Sequence, residues 1–172
     1  MFRLLGYRDP SLSLQVLAHE AVQRRMAESK AAELLVPTDT YASDKYTLFR
    51  FLNNQAIQIF HMSNAVTDGD SVVWFRRSDV IAAGDVYNSD IYPPIDADRG
   101  GSIDGEIAAL NTLTDMCVTE FMAQGGTMII PGHGWMSDAA DVGYYRDIMI
   151  VVRDRVQAMI DKGMTLAQVK AA

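Results

Sequence analysis

Met128-Ile129-Ile130-Pro131-Gly132-His133-Gly134 is the stretch on which the fold turns. Three apolar residues and a proline read as a short buried strand, and the histidine between two glycines marks a strand-end loop. Glycine on both sides lets the backbone turn sharply and leaves room around an imidazole. A stretch of the same design lies upstream, where the apolar run Val80-Ile81-Ala82-Ala83 is followed by Gly84-Asp85. A carboxylate and an imidazole held at neighbouring strand ends make a partial site for Zn²⁺ or Fe²⁺. Zinc in a catalytic site generally needs three protein ligands plus water, so Asp85 and His133 alone would hold a metal weakly.

The rest of the chain supplies the layers around these two loops. Leu14 to Ala18 reads as a strand and His19 to Leu35 as a helix, broken at Pro37-Thr38-Asp39. Tyr46 to Phe51 and Ala56 to Met62 alternate apolar and polar residues, with Asn53-Asn54 suggesting a hairpin between them. Ser71 to Phe75 and Val80 to Ala83 are two further strands, followed by an irregular stretch from Asp85 to Gly101. Ser102 caps a helix that runs through Ile107, Leu110, Leu113 and Met116 to about Ala123, where Gly125-Gly126 ends it. Glu106 falls one residue beyond the capping-box position. A final helix covers Asp138 to Lys162, with apolar positions at Ile148, Val151, Val152, Val156, Met159 and Ile160, and Thr165 to Val169 adds one helical turn. Strands gathered in the middle and followed by strand–loop–helix units predict an α/β layered domain, with its active face at the strand-end loops.

Composition narrows the function classes. A chain of 172 residues fits one domain spanning 1–172, with 49% apolar and 22% charged residues. A net charge of −7 with isolated basic pairs, Arg24-Arg25 and Arg76-Arg77, argues against a nucleic-acid partner. No run approaches the roughly 18 apolar residues of a membrane span, and the start is too quickly polar for a secretory signal, so the expected location is cytoplasmic. The lone Cys117 reads as a buried structural thiol within the helix that begins after Ser102.

Asn64-Ala65-Val66-Thr67-Asp68-Gly69-Asp70-Ser71, Gly84-Asp85 and Gly132-His133-Gly134, in this order, resemble the metallo-β-lactamase superfamily. The match continues through Ala56 to His61, Ile81 to Val86, and Asn88, Tyr92, Pro93, Ile95, Asp96 and Gly100-Gly101-Ser102. The resemblance implies a four-layer αββα sandwich of two similar halves, of which this chain looks like the second half plus the end of the first. It also implies that Asp85 is the bridging carboxylate and His133 the distal-metal histidine. Two departures weaken that implication. The His-x-His-x-Asp-His motif that opens the family's site is absent, and Val66 stands where a metal-binding histidine is expected. Val16 to Glu20 resembles the segment that follows the missing motif, with Met1 to Gln15 in place of that region's tail. His19 and His61 read as structural histidines.

Three functions are compatible with this pattern. The first is a truncated family member with lost or impaired hydrolase activity, acting as a binding or structural protein. It would offer a small-molecule pocket lined by Tyr87, Tyr92 and Trp135. The second is a metal-dependent hydrolase whose composite zinc or iron site draws Asp85 and His133 from two chains, with Asp68 or Asp85 orienting the water. The third is a fragment without selected activity. A lone half would expose one sheet face, so a homodimer paired sheet to sheet is expected to complete the sandwich. Asp96 to Asp104 imitates the start of a calcium loop. Its twelfth position is Ile107, however, which favours a turn leading into a helix.

Overall fold

The strand β4, Ile57–Met62, alternates its side chains between two faces, as do β5, Asp70–Phe75, and β6, Val80–Gly84. In the computed structural model these are the central strands of a five-stranded sheet ordered β3-β4-β5-β6-β7, with β3 at Lys45–Thr47 and β7 at Met128–Pro131. Each pair from β3 to β6 is antiparallel, and β7 joins β6 in parallel. A parallel neighbour needs a crossover connection, and the helix α2, Ile103–Met116, lies within it. The structure describes residues 16–29, 36–48, 53–119 and 125–172. The chain divides into two compact units, Met1–Ala42 and Ser43–Ala172.

In the second unit one sheet face presents Phe60, Met62, Val72, Trp74, Ile81, Ala83 and Ile129 to the core. Ile107, Ala109, Leu110 and Leu113 of α2, and Val142 and Met149 of the helix α3, Ala139–Asp161, fill the other side of that core. Each fully buried large apolar side chain is worth about 1.5–3 kcal/mol, so this packing is what holds the sheet and helices together. A last short helix, α4, Leu166–Ala171, follows α3.

The opposite sheet face is apolar as well. The strand register aligns Ile57, Phe75, Val80 and Met128 in one cross-sheet row, and Ile59, Val73, Ala82 and Ile130 in the next. Met128 is 45% and Ile130 42% exposed at the β7 end of these rows. The following row begins with His61 opposite Ser71, so the face turns polar toward the end where β6 and β7 finish. A sheet that is apolar on both faces is built to be sandwiched between two layers.

The first unit holds a two-stranded parallel sheet of β1, Leu17–His19, and β2, Asp39–Tyr41, with the helix α1, Glu20–Glu28, between them. His19 caps α1, its Nδ1 accepting from the Ala21 amide at 3.3 Å, and its ring stands edge-on to Tyr41.

Several boundaries differ from the sequence expectation. The first strand lies at Leu17–His19 rather than Leu14 to Ala18, and residues 14–15 are outside the described residues. The helix expected to reach Leu35 ends at Glu28 with Ser29 as its cap, residues 30–35 being likewise outside them. β2 occupies a segment read as a break. The amides of Thr38 and Asp39 both donate to the Val16 carbonyl, so pairing with a neighbour, not local alternation, makes it a strand. Asn53 and Asn54 adopt φ of 51° and 62°, the left-handed turn conformation expected of that pair, while residues 49–52 lie outside the described residues. α2 stops at Met116, where Val118 and Thr127 bond to each other, the Val118 amide donating to Thr127 Oγ1 and the Thr127 amide to the Val118 carbonyl, while the expected end near Ala123 lies outside the described residues. Cys117 is therefore the helix cap, half-buried, and not a residue inside the helix. On α3 the expected apolar stripe is only partly covered: Ile148 packs on the core, but Val151, Val152 and Ile160 are exposed.

Candidate functional site

Asp85 leaves the end of β6 and His133 leaves the end of β7, and the parallel pairing of these strands puts Gly84 beside Pro131. The two residues singled out from the sequence therefore emerge side by side at one sheet end, and both are exposed. Backbone bonds staple their loops together. The Gly132 amide donates to the carbonyls of Gly84 and Tyr87 at 2.9 and 3.0 Å, and the Ser89 amide donates to the His133 carbonyl at 3.0 Å. Ser89 Oγ accepts from the Trp135 amide at 2.8 Å, and Asn88 Nδ2 donates to the Asp85 carbonyl at 3.1 Å. A side chain at Gly132 would meet both the Gly84 carbonyl and the Asp85 carboxylate, and Gly134 sits at φ 96°. The glycines flanking His133 are thus needed for the approach of the two loops. The role of Ser89 as the staple was not singled out in the sequence, where a serine in an irregular loop carries no signal of its own.

Asp68 lies at the same end of the sheet, in the loop from β4 to β5. Its amide donates to the Arg99 carbonyl, and its carbonyl is bonded to His61 Nε2 at 2.9 Å. Burial is the main cause that lowers the His61 pKa below its ordinary value, opposed by the charges of Asp44 and Asp70. The geometry fits a histidine that holds a loop, as the sequence suggested. Val66, at the position where a ligating histidine was expected, is 5% exposed and packed inside, and its carbonyl accepts from the Asp96 amide. Asp96 caps a short 3₁₀ turn at Ala97–Arg99, accepting from the Arg99 amide, so its carboxylate serves the turn rather than a calcium loop.

Zinc or iron is the metal that such a constellation implies, and the donor set decides whether it fits. Among the described residues no three His, Cys, Asp or Glu side chains gather closely enough to hold a metal ion. Asp85 and His133 supply two donors, Val66 supplies an isopropyl group, and three are needed for a catalytic zinc. The described residues of one chain do not fit that metal. Cys117 adds nothing to the set: burial pushes its thiol up to about 11, with Asp79 and Asp138 contributing, and its Sγ is engaged with the Leu113 carbonyl.

The three residues expected to line a pocket differ in burial. Tyr87 is 2% exposed and its hydroxyl donates to Ser137 Oγ at 2.9 Å, whereas Tyr92 and Trp135 are exposed at the surface. Tyr87 instead stacks edge-on against Tyr145 within the core.

A residue with no assigned role emerges behind the site. Glu106 is fully buried, and neither of its carboxyl oxygens has a hydrogen-bond partner among the described residues. Burial, with the charge of Asp70 adding to it, pushes its carboxyl up to about 8. Its place near the start of α2 would favour a carboxylate by only about 0.3–1 kcal/mol. An unpaired buried charge costs several kcal/mol, so desolvation wins and the neutral acid is the form that fits. Its one mark in the sequence is that of an acidic residue near a helix start.

Solved metallo-β-lactamases share part of this fold. DIM-1 metallo-β-lactamase superposes with a TM-score of 0.61 at 20% identity, over 83% of this chain and 60% of that one. VMB-1 gives a TM-score of 0.62 at 13% identity, over 84% and 60%. A metallo-β-lactamase from Pontibacter korlensis gives 0.56 at 15% identity, over 83% and 72%. No family model matches the sequence, and no curated protein matches it. The chain shares, in part, the α/β fold of these metallo-β-lactamases. It spans about three fifths of the length of the DIM-1 and VMB-1 chains. No helix among the described residues is long and apolar enough to cross a membrane.

Proposed function

We propose that this chain is a metallo-β-lactamase-like protein with lost or impaired hydrolase activity, serving in the cytoplasm as a binding or structural protein. The observation that carries the proposal is Val66, an apolar side chain built into the interior where a metal ligand would stand, with no three-donor group near it among the described residues. A single side-chain replacement that both removes a ligand and fills the core is not undone by adding metal. Exposed Met128 and Ile130, at the β7 end of the two apolar rows whose β4 ends are buried, support pairing with a second copy of the chain, sheet against sheet.

A second reading is favoured by the side-by-side exit of Asp85 and His133. Two chains would each contribute this exposed pair to a shared zinc or iron site, with Asp68 and Asp85 as candidate catalytic carboxylates. Hydrolysis of β-lactam, thioester, lactone and phosphodiester reporters, with zinc or iron added, separates the two. Rates equal to those of metal and buffer alone are expected. Turnover that disappears in both Asp85→Ala and His133→Ala would establish the composite site instead.

A further inference from the structure

Glu106 sits where two loops are fastened to α2. The Ser102 amide donates to the carbonyls of Asn64 and Ala65 at 3.0 Å each, and Asn64 Nδ2 donates to the Gly100 carbonyl at 2.9 Å. The Asp68 amide donates to Arg99 and the Asp96 amide to Val66, both at 2.9 Å. The loops at 64–70 and 96–102 thus hang on one another and on Ser102, the N-cap of α2, four residues before Glu106. Seating the first turn of α2 brings Glu106 into the core with no hydrogen-bond partner for either oxygen among the described residues.

We propose that Glu106 is a proton-operated latch. As a neutral acid it lets α2 seat against the sheet and α3. Once ionised, it drives the first turns of α2 outward and frees the two loops they carry, including the one that holds Asp68.

The groups facing Glu106 reinforce this. Asp70, at the start of β5, repels a second negative charge. Tyr145, on α3, has its own ionisation raised by burial first and then by Glu106, and its hydroxyl is already committed to the Ile91 carbonyl at 3.1 Å. Asp104, on the solvent side of the same helix, is paired with Arg153 across to α3 at 3.1 Å and does not compensate a charge inside. The inference concerns a residue apart from Asp85 and His133, and it holds whether or not the chain takes a metal.

The direction of the effect follows from the proton count. Glu106 holds its proton to about pH 8 in the folded chain and to about 4.5 when unfolded, so folding takes up a proton between these values. The stabilisation is complete below about pH 4.5, declines as pH rises, and is exhausted above about pH 8.

Thermal melting of the full chain from about pH 5 to about pH 9, for wild type and Glu106→Gln, tests this. The wild-type folding equilibrium constant should fall by up to about tenfold per pH unit across the window. Glu106→Gln, which keeps the shape and cannot ionise, should stay nearly level above about pH 7.5, beyond the range in which His61 titrates. Amide exchange at Asp68 and Ser102 should rise above its intrinsic pH dependence in wild type only. Parallel decline of the two proteins, or a level wild type, would overturn the latch. Should Glu106→Gln fail to fold, Asp70→Asn decides the matter. Removing that charge should move the wild-type decline to lower pH, and an unmoved midpoint would overturn the proposal.

Discussion

A methyl group at Gly132 would stand 2.7 Å from the Gly84 carbonyl oxygen and 2.8 Å from the Asp85 carboxylate. The listener to this contact is the backbone, which cannot swing aside as a flexible side chain could. Gly132→Ala should therefore cost about 1–3 kcal/mol in urea unfolding, in the range of overpacked sites. A change within about 0.5 kcal/mol, ordinary for an exposed position, would contradict the close packing of the two loops. His61 makes a prediction of opposite sign to Glu106. Its folded-state pKa lies below the ordinary 6.5, so the unfolded chain takes up the proton first and stability falls as pH drops below about 6.5. His61→Gln should flatten the acid limb of the melting profile, and an unchanged limb would remove His61 from the balance. At this scale the sequence was informative about Asp85 and His133, because each directly follows an apolar strand and a glycine. It was silent about Glu106, whose inward orientation depends on β5 and α3, elements distant from it in the chain.

Among the elements, α3 carries the clearest local signal. Asp138 accepts from the amides of Ala140 and Asp141 at 2.8 and 3.0 Å, and Asp141 returns a bond to the Asp138 amide, closing a capping box. Asp138→Ala should destabilise the chain by about 1 kcal/mol, read from urea unfolding, with loss of helical signal confined to the melting region. No measurable change would mean that packing of Val142 alone fixes the start of the helix. This boundary was legible because an N-cap is a contact between residues two or three apart. The end of α2 was not, since Cys117 and Val118 continue the apolar period while Thr127, nine residues away, draws the backbone out of the helix. β2 was hidden for the same reason: its partner, β1, and not its own sequence, makes it extended.

At the level of the molecule, alternation within β4, β5 and β6 revealed the sheet, and the glycine-marked strand ends revealed that Asp85 and His133 leave it on one side. The doubly apolar character of the sheet emerged only from the register, which lines up Ile59, Val73, Ala82 and Ile130 across four strands. If a second copy covers these rows, Met128→Glu with Ile130→Glu should convert a dimer into a monomer by light scattering while leaving the helical signal intact. A wild-type monomer at micromolar concentration would remove the pairing. The metal question is settled most simply by calorimetric titration of zinc into the chelator-stripped chain. Without a third donor, no saturable site tighter than about micromolar is expected for each chain. A site of about nanomolar affinity with one zinc per chain, abolished by His133→Ala, would contradict the loss of the metal cage.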